Sequence, residues 1–206
     1  MSVWTNLIPE RKIPVIHPLL VRVTHWINAF AMIVMIMSGW QIHNSYPTLP
    51  FSFPNSLTLG GSLPGALQWH FAAMWVLTAN GITYVTYGII SGRFRRKLLP
   101  IRPSEVLRDV RGALAGGFAH TDLSVYNAVQ RALYAGVVGA GVLAVTSGLA
   151  IWKPVQFGIL TRLLGDFDNA RIIHFLAMSA IVLFLMVHVG MALIVPTSMR
   201  AMICGR

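Results

Sequence analysis

Four long apolar stretches leave this 206-residue chain few folds to choose from. They run approximately over 18–42, 67–92, 125–152 and 172–196. Each meets the roughly 20 residues that a helix needs to cross the hydrocarbon core of a bilayer. Any one of them would also suit a buried helix of a large soluble protein. Four in a chain of this length leave too little polar sequence to cover such a core. Charged residues make up only 11% of the chain, against about 25% in a soluble domain. The expected fold is therefore all-α: a single domain, 1–206, forming an integral membrane four-helix bundle.

A formal net charge of +10 raises the question of nucleic acid, and its distribution answers it. Arg11, Lys12 and Arg22 lie in the first 22 residues, and Arg200 and Arg206 in the tail. Arg93, Arg95, Arg96, Lys97, Arg102, Arg108 and Arg111 lie between the second and third stretches. The segment 43–66 has no charged residue, and Lys153, Arg162 and Arg171 are partly offset by Asp166 and Asp168. An even number of spans puts both termini on one side, and the excess of Lys and Arg there predicts that side to be the cytoplasm. The basic balance then reads as topology and contact with anionic lipid, with no nucleic-acid partner. The expected location is a membrane bordering the cytoplasm, crossed several times. The polar N-terminal segment and the continuous first apolar run argue against a cleavable signal.

One cysteine, Cys204, excludes an internal disulfide, an all-cysteine iron–sulfur cluster and a C-x-x-C-H attachment. Prolines and paired glycines make 43–66 irregular connecting chain. From 103 to 114, Val106, Leu107, Val110 and Leu114 recur at helical spacing among arginines. This predicts a short amphipathic helix on the inner leaflet, with a basic solvated loop as the alternative. Asp166, Asp168 and Asn169 precede the last span and suit its helix cap.

Seven histidines carry the functional signal: His17, His25, His43, His70, His120, His174 and His188. Ionisable residues inside spans are rare and point to function. His174 and His188 are 14 residues apart, which advances a helix by about 21 Å with both side chains on one face. His70 falls in the first turn of the second span and His25 about two turns into the first. Depth then pairs His70 with His174 near the outer surface and His25 with His188 near the inner one. Such pairs suit two bis-histidine haems. Arg22 precedes His25 by three residues, as Arg171 precedes His174. Residues so spaced share a helix face, and arginine suits the carboxylate propionates of a haem. Gly136, Gly139, Gly141 and Gly148 in the third span, and Gly39, Gly81 and Gly88 elsewhere, leave room for a flat macrocycle or serve plain helix packing. A lone intramembrane histidine is also commonly a core residue bonded to a carbonyl. His43 and His120 read as interfacial or loop residues, and His17 as a helix cap that competes with His25. A zinc site needs three or four ligands at one depth. An ion transporter needs an intramembrane carboxylate or broken helices. Neither pattern is present.

Thr24-His25-Trp26-Ile27-Asn28-Ala29, His70, the His174/His188 pair and Tyr126-Asn127-Ala128-Val129-Gln130-Arg131 resemble the bacterial cytochrome b561 relatives. These are the four-helix membrane cytochrome b subunits of formate dehydrogenase, NiFe hydrogenase and thiosulfate reductase. The resemblance implies the same ligand pairs and a quinone site near His188, bordered by Asn127 and Gln130. It implies electron transfer between a periplasmic redox partner, such as a molybdopterin oxidoreductase, and the membrane quinone pool. Some relatives of the fold instead resemble a superoxide oxidase that needs no soluble partner. A structural anchor, whose histidines only pack, is the non-redox alternative.

Overall fold

The computed structural model of the chain describes residues 17–92, 104, 105, 108, 111 and 128–205. All regular structure among them is helical. The elements are α1 (Leu19–Ser45), α2 (Leu63–Ile90), α3 (Ala128–Trp152), α4 (Gly158–Leu163), α5 (Phe167–Ile194) and α6 (Pro196–Cys204), with a 3-10 turn at Asn55–Leu57. α1, α3 and α5 are long and apolar enough to cross a membrane. α2 has the length, since its 28 residues rise about 42 Å. Gln68, Thr78, Asn80, Thr83 and Thr86 interrupt its apolar run.

Local chemistry sets the helix starts earlier than hydropathy does. The Ser62 hydroxyl accepts the Gly65 N–H at 3.4 Å, and Pro64 sits in the first turn, where its missing N–H costs nothing. α2 therefore begins before residue 67, and His70 lies two turns in rather than in the first turn. At α5 the Asp166 carboxylate accepts the Asn169 N–H at 2.7 Å, with Asp168 in the first turn. That cap brings the start forward to Phe167. Pro196 cannot continue the α5 ladder and instead opens α6, which ends at Gly205 with φ 88°, a left-handed stop natural to glycine. The apolar pattern predicts neither α4 nor α6. Of the 103–114 segment, Ser104, Glu105, Arg108 and Arg111 are helical, and the rest lies outside the described residues. Glu105 reaches Arg131 at the start of α3, at 3.6 Å.

α1 packs chiefly on α2, and α3 chiefly on α5, while the two pairs approach one another only sparsely. Most buried residues of the bundle are small, among them Ala31, Ser38, Ala73, Ser147, Ala150 and Ala177, with Val21, Ile36 and Ile181 the larger apolar exceptions. Large apolar side chains point outward, with Phe30 72% and Ile90 81% exposed. A water-soluble bundle arranges them the other way round. Small residues inside and large apolar ones outside are the pattern of helices surrounded by lipid, and the chain is an all-helical membrane bundle.

One polar clamp ties α1 to α2. Asn80 is buried, and its Nδ2 donates to the Thr24 carbonyl at 2.8 Å and to Asn28 Oδ1 at 2.6 Å. Asn80→Leu removes both bonds and leaves the Thr24 carbonyl and Asn28 without that partner. Interhelical hydrogen bonds in membranes are worth roughly 0.6–1.7 kcal/mol each. The expected result is an unfolding free energy in detergent lower by about 1–3 kcal/mol, seen as a lower midpoint in denaturant titration. An unchanged midpoint would show that the clamp is energetically idle.

Candidate functional site

The sparse contact between the two helix pairs defines a seam, and the histidines face one another across it. His25 on α1 meets His188 on α5 with ring centres 6.1 Å apart. His70 on α2 meets His174 on α5 with ring centres 6.4 Å apart. The first pair lies toward the end of the bundle that carries the described termini. The second lies toward the opposite end, which carries the 46–62 connection and α4. Trp26 stands edge-on to His25 at 5.3 Å, Phe184 stacks on His188 at 5.5 Å, and Tyr134 lies 6.4 Å from the His188 ring.

The second pair has a built seat that sequence reasoning missed. Ser38 Oγ lies 3.1 Å from His70 Nδ1, and Ser147 Oγ lies 3.1 Å from His174 Nδ1. Each serine is fully buried and donates its own hydroxyl to the carbonyl four residues back, at 2.6 Å in both helices. The serine oxygen is thus left to accept from Nδ1–H. The Ala144 carbonyl also accepts from His174 Nδ1, at 2.9 Å. A hydrogen bond at Nδ1 fixes the tautomer and leaves Nε2 free to bind a metal. A glycine follows each serine. Gly39 packs against His70 and Gly148 against His174, where an added Cβ would stand 3.6 and 3.2 Å from Cε1. Gly81, Gly136, Gly139 and Gly141 touch no such group. The recurrence of Ser-Gly on α1 and α3 was the available signal, hidden by the absence of wider similarity between the two halves.

The arginines are less exclusively aimed at a cofactor than their spacing suggests. Arg22 donates to the Ile203 carbonyl at 2.7 Å, at the end of α6, where a cation also suits the helix dipole. Its Nε is buried without a partner among the described residues. Arg171 donates to the Tyr46 carbonyl at 2.8 Å and to Thr48 Oγ1 at 3.3 Å, and stacks on the Tyr46 ring at 4.1 Å. Pro18, not His17, takes the cap position of α1, its carbonyl accepting the Arg22 N–H at 3.2 Å. His43, expected at the interface, lies inside α1 and is buried, because α1 runs to Ser45 and aromatic side chains cover its last turn. Gln130 lies in the first turn of α3, one turn before Tyr134. Asn127 and His120 lie outside the described residues.

These residues fit a haem at each pair. Each couple faces across the seam with a gap between its rings, and a metal bound by both imidazoles would be held there. The observed separations are 6.1 and 6.4 Å. His25 with His188, and His70 with His174, would be the residues to hold a haem, which would supply one-electron chemistry there.

Similarity to known proteins agrees. The profile of the family described as prokaryotic cytochrome b561 matches residues 16–205. A putative protein-methionine-sulfoxide reductase subunit, YedZ1, of Azospira oryzae is 48% identical over 196 residues, covering 95% of this chain and 99% of its own length. A probable Ni/Fe-hydrogenase B-type cytochrome subunit of Bradyrhizobium diazoefficiens is 25% identical over 82% of this chain and 73% of its own. Its counterpart in Azotobacter vinelandii is 26% identical over 83% and 76%. The family match spans all four long helices and both histidine pairs, and the chain belongs to the prokaryotic cytochrome b561 family, as a membrane b-type cytochrome of electron transfer.

Proposed function

We propose that this chain holds two b-type haems, one at His25/His188 and one at His70/His174, and links a periplasmic redox enzyme to the membrane quinone pool. The observation that carries this reading is the pair of facing imidazole couples, 6.1 and 6.4 Å apart, on the seam of the bundle. When bound, the haems supply one-electron chemistry that no side chain here offers. The protein's own task is positional. α5 carries one histidine of each pair and so fixes their separation along the bundle. The outward apolar side chains seat the bundle in lipid, and Ser38 and Ser147 hold the imidazoles of one pair in a single tautomer.

The distribution of Lys and Arg supports placing the termini, and with them His25/His188, on the cytoplasmic side of the inner membrane. His70/His174 then faces the periplasm. Tyr134 lies 6.4 Å from the His188 ring, with Gln130 one turn before it on α3, which supports a quinone headgroup there. The relatives named as a sulfoxide reductase subunit and as hydrogenase cytochrome subunits support a role as the membrane subunit of a redox enzyme. The superoxide oxidase alternative calls for cations offered to an incoming anion. Arg171 already holds Tyr46, Thr48 and Asp168, so the cations open to an anion from solvent are the exposed Arg162 and Lys153, the latter over the Trp152 ring at 5.3 Å.

A pyridine haemochrome assay on the purified protein, with haem counted per chain, tests the reading. The expected result is two b haems per chain. One haem would reduce the site to a single pair. None, in folded protein expressed with haem supplied, would overturn the proposal and leave a structural anchor.

A further inference from the structure

His43 is the buried polar group that the haem-ligand scheme leaves unexplained. It is 5% exposed and walled by Phe51, Phe53 and Phe175, with ring centres at 4.9, 5.4 and 5.1 Å. Its Nε2 accepts the Leu49 N–H at 3.4 Å, which puts the ring proton on Nδ1. That Nδ1 is buried and has no partner among the described residues. The neighbouring Asn44 amide is held by the Phe53 backbone, with bonds of 2.8 Å in each direction, and although its oxygen keeps a second lone pair it makes no hydrogen bond with Nδ1 in this geometry. A buried donor left unmade costs about 1–3 kcal/mol, so such an atom asks for an acceptor.

Its place in the fold says which acceptor. His43 follows Gly39 by four residues, one turn farther along the same face of α1, and Gly39 is the glycine packed against His70. Arg171 precedes His174 by three residues, one turn farther in the same direction; its bonds to the Tyr46 carbonyl and Thr48 Oγ1 hold it against the chain that follows His43, with Asp168 on its far NH1 at 3.5 Å. An N–H donor and a guanidinium thus stand together one turn beyond the His70/His174 pair. A haem carries two propionate carboxylates on one edge, and a carboxylate is the acceptor that this donor set recognises.

We propose that His43, through Nδ1–H and with Arg171 beside it, binds a propionate of the haem held by His70 and His174. The proposal rests on that pair holding a haem, so haem is counted first. A missing haem at that pair overturns the functional reading itself. With two haems present, failure of the next test overturns only the role of His43.

The test is spectroelectrochemical titration of the full-length protein in detergent, following the haem that His174→Ala lacks. In His43→Phe the propionate loses a hydrogen bond that offsets its negative charge, which favours ferric iron. The expected effect is about a tenfold shift in the oxidised-to-reduced ratio, or about 59 mV to more negative potential. His43→Asn places an amide donor near the Nδ1 position and restores most of the shift. His43→Gln places it near Nε2 and does not. Where His43→Phe fails to fold, the contrast between Asn and Gln decides. Reconstitution with haem dimethyl ester, which has no carboxylates, should make wild type and the His43 variants equal. An unmoved potential, equal behaviour of Asn and Gln, or a His43 effect that persists with the diester would each overturn the proposal. The last would leave Nδ1 facing a buried water.

Discussion

His174→Ala should remove one haem and spare the other, giving one b haem per chain in the haemochrome assay. The reasoning starts from the seam. In the proposed assignment His70 on α2 and His174 on α5 are the two ligands of one site, and neither helix offers a second imidazole within a turn. On α5 the residue one turn on is Met178, and the residue one turn back is Ala170. On α2 the corresponding residues are Met74 and Ala66. Removing the imidazole leaves Ser147 and the Ala144 carbonyl without their partner at the seat, while α5 keeps its Asp166 cap. Groups that only orient a metal-bound histidine are worth about 10–100-fold in affinity, so losing the ligand itself should cost more than that. His70→Ala should give the same spectrum. His25→Ala and His188→Ala should remove the other haem and match each other. Electron transfer along the bundle should fail in all four, since the two sites act in series. Retention of both haems by His174→Ala would refute the pairing. Retention of both by His25→Ala, with loss of one in His17→Ala, would move the terminal-end ligand to His17.

Much of this arrangement was legible in the residues. The 14-residue spacing of His174 and His188 needs only helix geometry to put both on one face. The order of the spans then orders the histidines by depth, and facing rings at 6.1 and 6.4 Å are what that depth order gives once the helices pack. Features that depend on packing were less visible. Ser38 and Ser147 read as ordinary small residues of apolar helices, and only tertiary contact brings their hydroxyls to Nδ1. The start of α2 at Leu63 and of α5 at Phe167 is decided by single capping side chains, which hydropathy does not register. The burial of His43 follows from aromatic residues in the 46–62 connection folding back over α1. Arg22 and Arg171 sit at matched spacings, yet α6 and the Tyr46–Thr48 segment each take up part of their donors. Neither partner is near them in sequence.

The two glycines of the Ser-Gly seats should respond unequally to the same substitution. At Gly39 a Cβ would sit 3.6 Å from His70 Cε1 and 3.9 Å from Nδ1, ordinary contact distances. At Gly148 it would sit 3.2 and 3.5 Å from the same atoms of His174. Nor is the His174 ring free to retreat, because Ser147 Oγ at 3.1 Å and the Ala144 carbonyl at 2.9 Å hold Nδ1 in place. Gly39→Ala should therefore keep two haems with unchanged potentials. Gly148→Ala should keep two haems but shift the potential of the one at His70/His174. Gly148→Val adds two further methyl groups against the ring and should lose that haem, leaving one per chain. The same changes act oppositely on the backbone, since replacing glycine within a helix recovers about 0.5–1 kcal/mol of conformational freedom lost on folding. A haem lost while the unfolding midpoint holds or rises would be a local effect on the His174 seat. Gly148→Val with two haems and unshifted potentials would show that the contact is loose and that His174 is held by its hydrogen bonds alone.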